Sequence, residues 1–200
     1  MKKILLFFAV IIFSITFTQG QFGWGVKGGL TAAKINLDLQ DNLSGDHIFG
    51  AHGGVFFKFG EGIVSFQPEV MFIQKGVHVS DNQSDDYAET KMNYLEVPLL
   101  ARTSLDLKAV EIYFHFGGYT AYMLSKKESI KLSDDPDGDS YDVKDCNNFD
   151  GGVIIGGGIK VLSLVFEVRY GHGLANVCKD TDTYQESKNQ YVNLSLGVQF

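Results

Sequence analysis

Carboxylates and cations at every second residue are the most chemically suggestive pattern in this chain. Lys27, Lys58, Arg102, Lys160 and Arg169 share the polar side of alternating segments with Glu69, Glu96, Glu111 and Glu167. Five cations and four anions nearly cancel. Rolled into one interior, they predict an ion-pair network, because an unpaired buried charge costs several kcal/mol. His52, His115, Tyr113, Gln67 and Gln199 fall on the same side and add neutral hydrogen-bonding groups. An ion or proton path through the carboxylates is the competing chemistry.

Other groups invite chemistry and give weaker patterns. Asp135, Asp137 and Asp139 sit on alternate residues of D-P-D-G-D, a spacing that suits Ca²⁺. Ser140 stands where an EF-hand loop begun at Asp135 needs glycine, and its twelfth position is Cys146, not Glu. The stretch from Asp134 to Asp145 therefore reads as a solvated acidic loop, with no metal expected. His47 and His172 fall at the ends of alternating segments, where a membrane-surface polar residue is the plain reading. There is no nucleophile elbow, H-E-x-x-H or P-loop. Neither an enzyme nor a cofactor is expected. Cys146 and Cys178 are the two cysteines. They flank a hairpin that turns at Leu162-Ser163, which predicts a disulfide at its open end. Strict alternation puts the two on opposite faces, so this pairing needs a bulge near Gly171 and Gly173.

The elements that position these groups are β-strands. The last ten residues, Y-V-N-L-S-L-G-V-Q-F, alternate Val192, Leu194, Leu196, Val198 and Phe200 with polar or small residues. Seven more segments read alike, near 24–35, 48–59, 63–79, 91–104, 110–124, 149–161 and 164–170. Pro68 and Pro98 each remove a ladder donor, which predicts a bulge at each. Connections alternate between long (38–47, 80–90, 125–148, 175–190) and short (60–62, 105–109, 162–163). The expected fold is all-β: an eight-stranded antiparallel up-and-down transmembrane barrel with four long outer loops and short periplasmic turns. The terminal aromatic Phe200 reads as a signal for outer-membrane assembly. Outer-membrane lipid and the barrel-assembly machinery are the expected partners.

Lys2 and Lys3 precede an apolar run from Ile4 to Phe17, and small residues follow near Gly20. This predicts a secretory signal peptide over 1–20 and one barrel domain over 21–200. Loss of the two lysines takes the formal charge from −7 to −9, which speaks against nucleic acid as a partner. A secreted lipocalin-type barrel for a small apolar ligand is the rival fold. It would turn the apolar face inward and needs a well-charged outer face.

The ordered pieces Gly25-Val26-Lys27-Gly28-Gly29-Leu30, Pro68-Glu69-Val70 with Lys75-Gly76, Tyr94-Leu95-Glu96-Val97-Pro98-Leu99-Leu100, Glu167-Val168-Arg169-Tyr170-Gly171 and Phe200 resemble the PorT-like barrels of Bacteroidetes-type Gram-negative bacteria. That resemblance implies an eight-stranded barrel in the outer membrane. It implies no shared reaction and carries no catalytic residue.

Overall fold

Period-two alternation is realised as pleat. In the computed structural model, β8 buries Val165, Glu167, Arg169 and Gly171 and exposes Leu164, Phe166, Val168 and Tyr170. The structure describes residues 22–37, 43–46, 48–60, 62–81, 87–131, 147–175 and 187–200. They form nine strand segments and, among the described residues, no helix: β1 Phe22–Leu37, β2 Leu43–Asp46, β3 Ile48–Phe59, β4 Val64–Asp81, β5 Tyr87–Leu107, β6 Val110–Lys131, β7 Phe149–Val161, β8 Leu164–Gly173 and β9 Ser187–Gln199.

Each strand pairs antiparallel with its neighbours, and β1 pairs with β9. β2 and β3 lie along the same flank of β4 and serve as one wall, so the sheet closes as an eight-stranded barrel. Closure leaves no open edge in the eight-stranded wall, and the short β2 pairs with β4 alone among the described residues. Trp24 and Phe200 exchange backbone hydrogen bonds of 3.3 and 2.7 Å, and their rings lie 4.8 Å apart. Phe22 stands against Phe57 and Phe59 at the same end.

Apolar side chains cover the outside. Leu30, Phe66, Phe72, Leu99, Phe114, Phe116, Ile155 and Leu194 are all exposed. The lipocalin-type alternative is thereby overturned, since it requires the apolar face within.

Two details differ from the sequence reading. The prolines make no bulge: the β4–β5 ladder skips Glu69 and Val70 opposite Val97 and Pro98, then resumes in the same register. Missing donors interrupt hydrogen bonds without inserting a residue. The register shift lies at Asn93/Tyr94, where β6 carries Leu124 as the extra residue. No shift occurs between β7 and β8 from Gly152↔Gly173 to Val161↔Leu164, so the bulge expected near Gly171 is absent.

Strands also outrun the expected connections. Ser80, Asp81, Tyr87–Thr90, Ser125–Lys131 and Leu43–Asp46 are strand, not loop. β5 and β6 hold 21 and 22 residues and stay paired as far as Tyr87↔Lys131. A tilted strand needs only about 9–11 residues to cross a bilayer, so roughly half of this hairpin stands beyond it. At the opposite end, the β5–β6 and β7–β8 hairpins turn within two residues, and four residues join β3 to β4. Lys108 (φ 65°) and Leu162 (φ 57°) take the left-handed backbone at the first turn position.

Inside, glycines face rings. Gly25 lies opposite Phe56, Gly158 opposite Tyr113, Gly156 opposite His115, Gly152 opposite Tyr119 and Gly171 opposite Tyr191. A Cβ on Gly156 would meet His115 Nε2 at 2.6 Å, and one on Gly171 would collide with the Tyr191 ring. Each ring lies over the space a side chain would occupy, and this lets a narrow barrel fill with large groups.

Candidate functional site: the charged lumen

β1, β4 and β8 bring Lys27, Glu69, Glu167 and Arg169 to the middle of the lumen. Lys27 Nζ donates to Glu69 Oε1 and Glu167 Oε1, both at 2.9 Å. Arg169 grips Glu69 with two parallel bonds, Nη1 to Oε2 at 2.7 Å and Nη2 to Oε1 at 2.6 Å. This fork geometry makes a strong charge-assisted pair. Its Nε also lies 2.6 Å from Glu167 Oε1, an ion contact without hydrogen-bond alignment. Gln67 donates to Glu69 and Tyr113 to Glu167. Two cations and two anions cancel.

Nearby, His52 bridges Thr31 and Ser195 at 3.0 and 2.8 Å. His115 is buried with neither ring nitrogen hydrogen-bonded among the described residues, and Glu167 Oε2 lies 3.7 Å from Nδ1.

A second cluster lies toward the short turns. Arg102 Nη2 donates to Glu111 Oε1 at 2.6 Å, and Nη1 to Gln67 at 2.8 Å. Its guanidinium lies 3.6 Å over the Tyr113 ring. Lys58 Nζ reaches the same Glu111 oxygen at 3.2 Å, and Lys160 Nζ lies 2.6 Å from the other.

Glu96 joins neither cluster. It pairs with Lys75 at 2.8 Å, toward the long connections, and Lys75 also reaches Asp150 at 3.2 Å. The rings of Tyr94, Tyr119 and Tyr191 surround the Lys75 ammonium, with centroids at 5.3, 4.5 and 4.3 Å. Such faces attract a cation. Tyr191 donates to Glu96, and Tyr119 and Asn189 to Asp150.

The sequence reading placed neither Lys75 nor Asp150 in the ion-pair network, although Lys75 stands in one of its motifs. Counting by twos onward from Glu69 reaches Lys75, and back from Gly152 reaches Asp150. The parity signal was there, but both lie outside the most regular part of their strands.

His172 is half-buried, 3.3 Å from Gln190 and stacked on Tyr170. His47, Cys146, Cys178, the Asp135–Asp137–Asp139 run and residues 1–20 lie outside the described residues. Among the described residues no cluster of metal-ligating side chains occurs.

Solved structures of similar shape are bacterial barrels. OprG, an outer membrane protein of Pseudomonas aeruginosa, superposes with a TM-score of 0.50 at 11% identity, over 90% of this chain and 97% of its own. Ail, the attachment invasion locus protein of Yersinia pestis, gives 0.49 at 13%, over 92% and 100%. At such identities OprG speaks for the fold alone. Among curated protein sequences nothing matches the chain. The sequence profile of the outer membrane protein beta-barrel domain matches residues 17–179, about four-fifths of the length. A surface greasy outside and ionic within is what that family's membrane demands, and the chain belongs to the outer-membrane β-barrel family.

Proposed function

We propose that this protein is a PorT-like, non-enzymatic outer-membrane barrel with a plugged lumen. Its long connections face the cell exterior and serve as a display surface, and its short turns face the periplasm. The carrying observation is that nine ionic side chains of the lumen are at most 3% exposed, each paired. Opening a path would strip partners from several of them at once, and each unpaired buried charge costs several kcal/mol. The loop asymmetry of the sequence supports the orientation. The ordered strand motifs support the PorT-like placement.

Planar-bilayer recording on the refolded protein tests the plug. The expected result is a flat trace at neutral pH, and regular unitary steps would favour the ion-conducting alternative. An epitope inserted after Gly138 should be labelled on intact cells. Labelling only after lysis would reverse the orientation.

Phe200 is proposed as the assembly signal, supported by its ring and backbone contacts with Trp24 at the closing seam. Phe200→Asp should lower the assembled, heat-modifiable fraction several-fold and leave the chain in the periplasm. Wild-type assembly of that variant would remove the signal reading.

A further inference from the structure

Lys75, Glu96 and Asp150 form a trio unlike the other ion pairs of the lumen. β4, β5 and β7 bring them together, and all three residues are at most 2% exposed. Two carboxylates face one ammonium. Lys75 Nζ donates to Asp150 Oδ2 at 3.2 Å and lies 2.8 Å from Glu96 Oε2 without hydrogen-bond alignment. The rings of Tyr94, Tyr119 and Tyr191 close round the ammonium.

The Asp150 carboxylate is held unevenly. Oδ2 accepts from Lys75, from Asn189 at 2.9 Å and from Tyr119 at 3.3 Å. Oδ1 is buried and accepts no hydrogen bond among the described residues. One oxygen thus has donors in place for a developing negative charge, and the other is left bare. An ammonium and a carboxylate held together away from water carry the desolvation cost of both charges. Joining them as a neutral amide removes that cost and releases one water. The folded wall supplies the proximity that such a condensation lacks in solution.

We infer that Lys75 and Asp150 join in an isopeptide bond, formed by the barrel on itself, with Glu96 as the proton carrier. Glu96 takes one proton from the ammonium and passes it to Asp150 Oδ1. The electron pair freed on Nζ forms the N–C bond at Cγ, and the π pair of the carboxyl moves onto Oδ2, between Asn189 and Tyr119. Nζ gives up a second proton by way of Glu96. Oδ1 takes it and leaves with its bonding pair as water, and Oδ2 returns as the amide carbonyl. The third proton stays on the amide nitrogen. Glu96 ends as it began, and no oxidant or co-reactant is consumed. β4 and β7 are not neighbours in the wall, so the bond crosses the lumen and ties positions 75 residues apart.

Intact-mass spectrometry of the full chain, before and after refolding into neutral detergent, tests the bond. The chain held in urea should have its full sequence mass. The refolded barrel, boiled open before measurement, should be lighter by one water. Proteolysis should release a branched peptide that joins the segment of Lys75 to that of Asp150. Lys75→Arg and Glu96→Gln should keep the full mass, with heat-modifiable migration verifying that each is closed. An unchanged mass of the closed wild-type barrel overturns the bond. So does an equal loss of water in Lys75→Arg, which marks a succinimide at an Asp-Gly step such as Asp150-Gly151 instead. Loss of water from Glu96→Gln at the wild-type rate overturns the role of Glu96.

Discussion

Replacing Glu69 with Gln should lower the stability of the barrel by about 3–5 kcal/mol, the cost of breaking a buried ion pair from one side. Glu69 accepts from Lys27, Gln67 and both terminal nitrogens of Arg169. The amide keeps the shape but loses the charge, and its NH₂ must face a cation. Glu167 would then be the sole anion beside Lys27 and Arg169. Lys58→Gln removes a longer contact at the partly solvated mouth, and its loss should stay within about 1 kcal/mol. Urea unfolding in lipid vesicles compares the two, followed by Trp24, the single tryptophan. A Glu69→Gln loss no larger than that of Lys58→Gln would mean that water reaches the central cluster.

Val168→Arg should cost about 2–4 kcal/mol, as expected for a cation on the lipid face near the bilayer middle. Val168 is exposed in the middle of β8, beside Leu194 and Gly157. Phe166→Arg lies one step nearer the short turn and should cost less, because the guanidinium reaches the interface sooner. Val165→Arg, on the other face, is a different experiment. Val165 is buried against Phe56 and Tyr113, so an arginine there overpacks the lumen whatever the lipid. Unfolding in thin and thick bilayers separates them. The Val168→Arg penalty should shrink in thin lipid and the Val165→Arg penalty should not. The opposite pattern would reverse the two faces of β8.

The barrel was readable wherever water and lipid impose opposite demands on neighbouring residues. In β3 and β7 the apolar alternation runs from Ile48 to Phe59 and from Phe149 to Val161, and the observed limits are the same. Beyond the membrane the demand disappears. Tyr87–Lys91 and Lys127–Lys131 pair by backbone register without an apolar stripe, so the sequence carries no period there to read. The lumen was legible as parity but not as partnership. Alternation puts Glu96 and Glu69 on the same inward face. It cannot say that Glu96 meets Lys75 and Asp150 while Glu69 meets Lys27 and Arg169, because those meetings depend on barrel shear and side-chain reach. Pro68 and Pro98 misled in a simpler way. A missing donor can be left as a gap in the ladder, and among the described residues it is Leu124 that supplies an extra residue instead.

The facing of glycine and ring has a consequence for how such a barrel can change over generations. Interior volume is held by pairs on adjacent strands, not by single positions. A side chain grown at Gly171 is admissible only if Tyr191 shrinks in the same lineage, whereas at Gly156 the Val168 carbonyl oxygen, 2.6 Å from the new Cβ, stands in the way as well as His115. Compensating substitutions in relatives should therefore track strand register, linking facing residues on adjacent strands such as Gly171 and Tyr191. The same constraint opposes slippage, because moving one strand by two residues would bring a ring against a neighbour already filled. The interior thus holds the register, while the outer face asks only for an apolar side chain at each position.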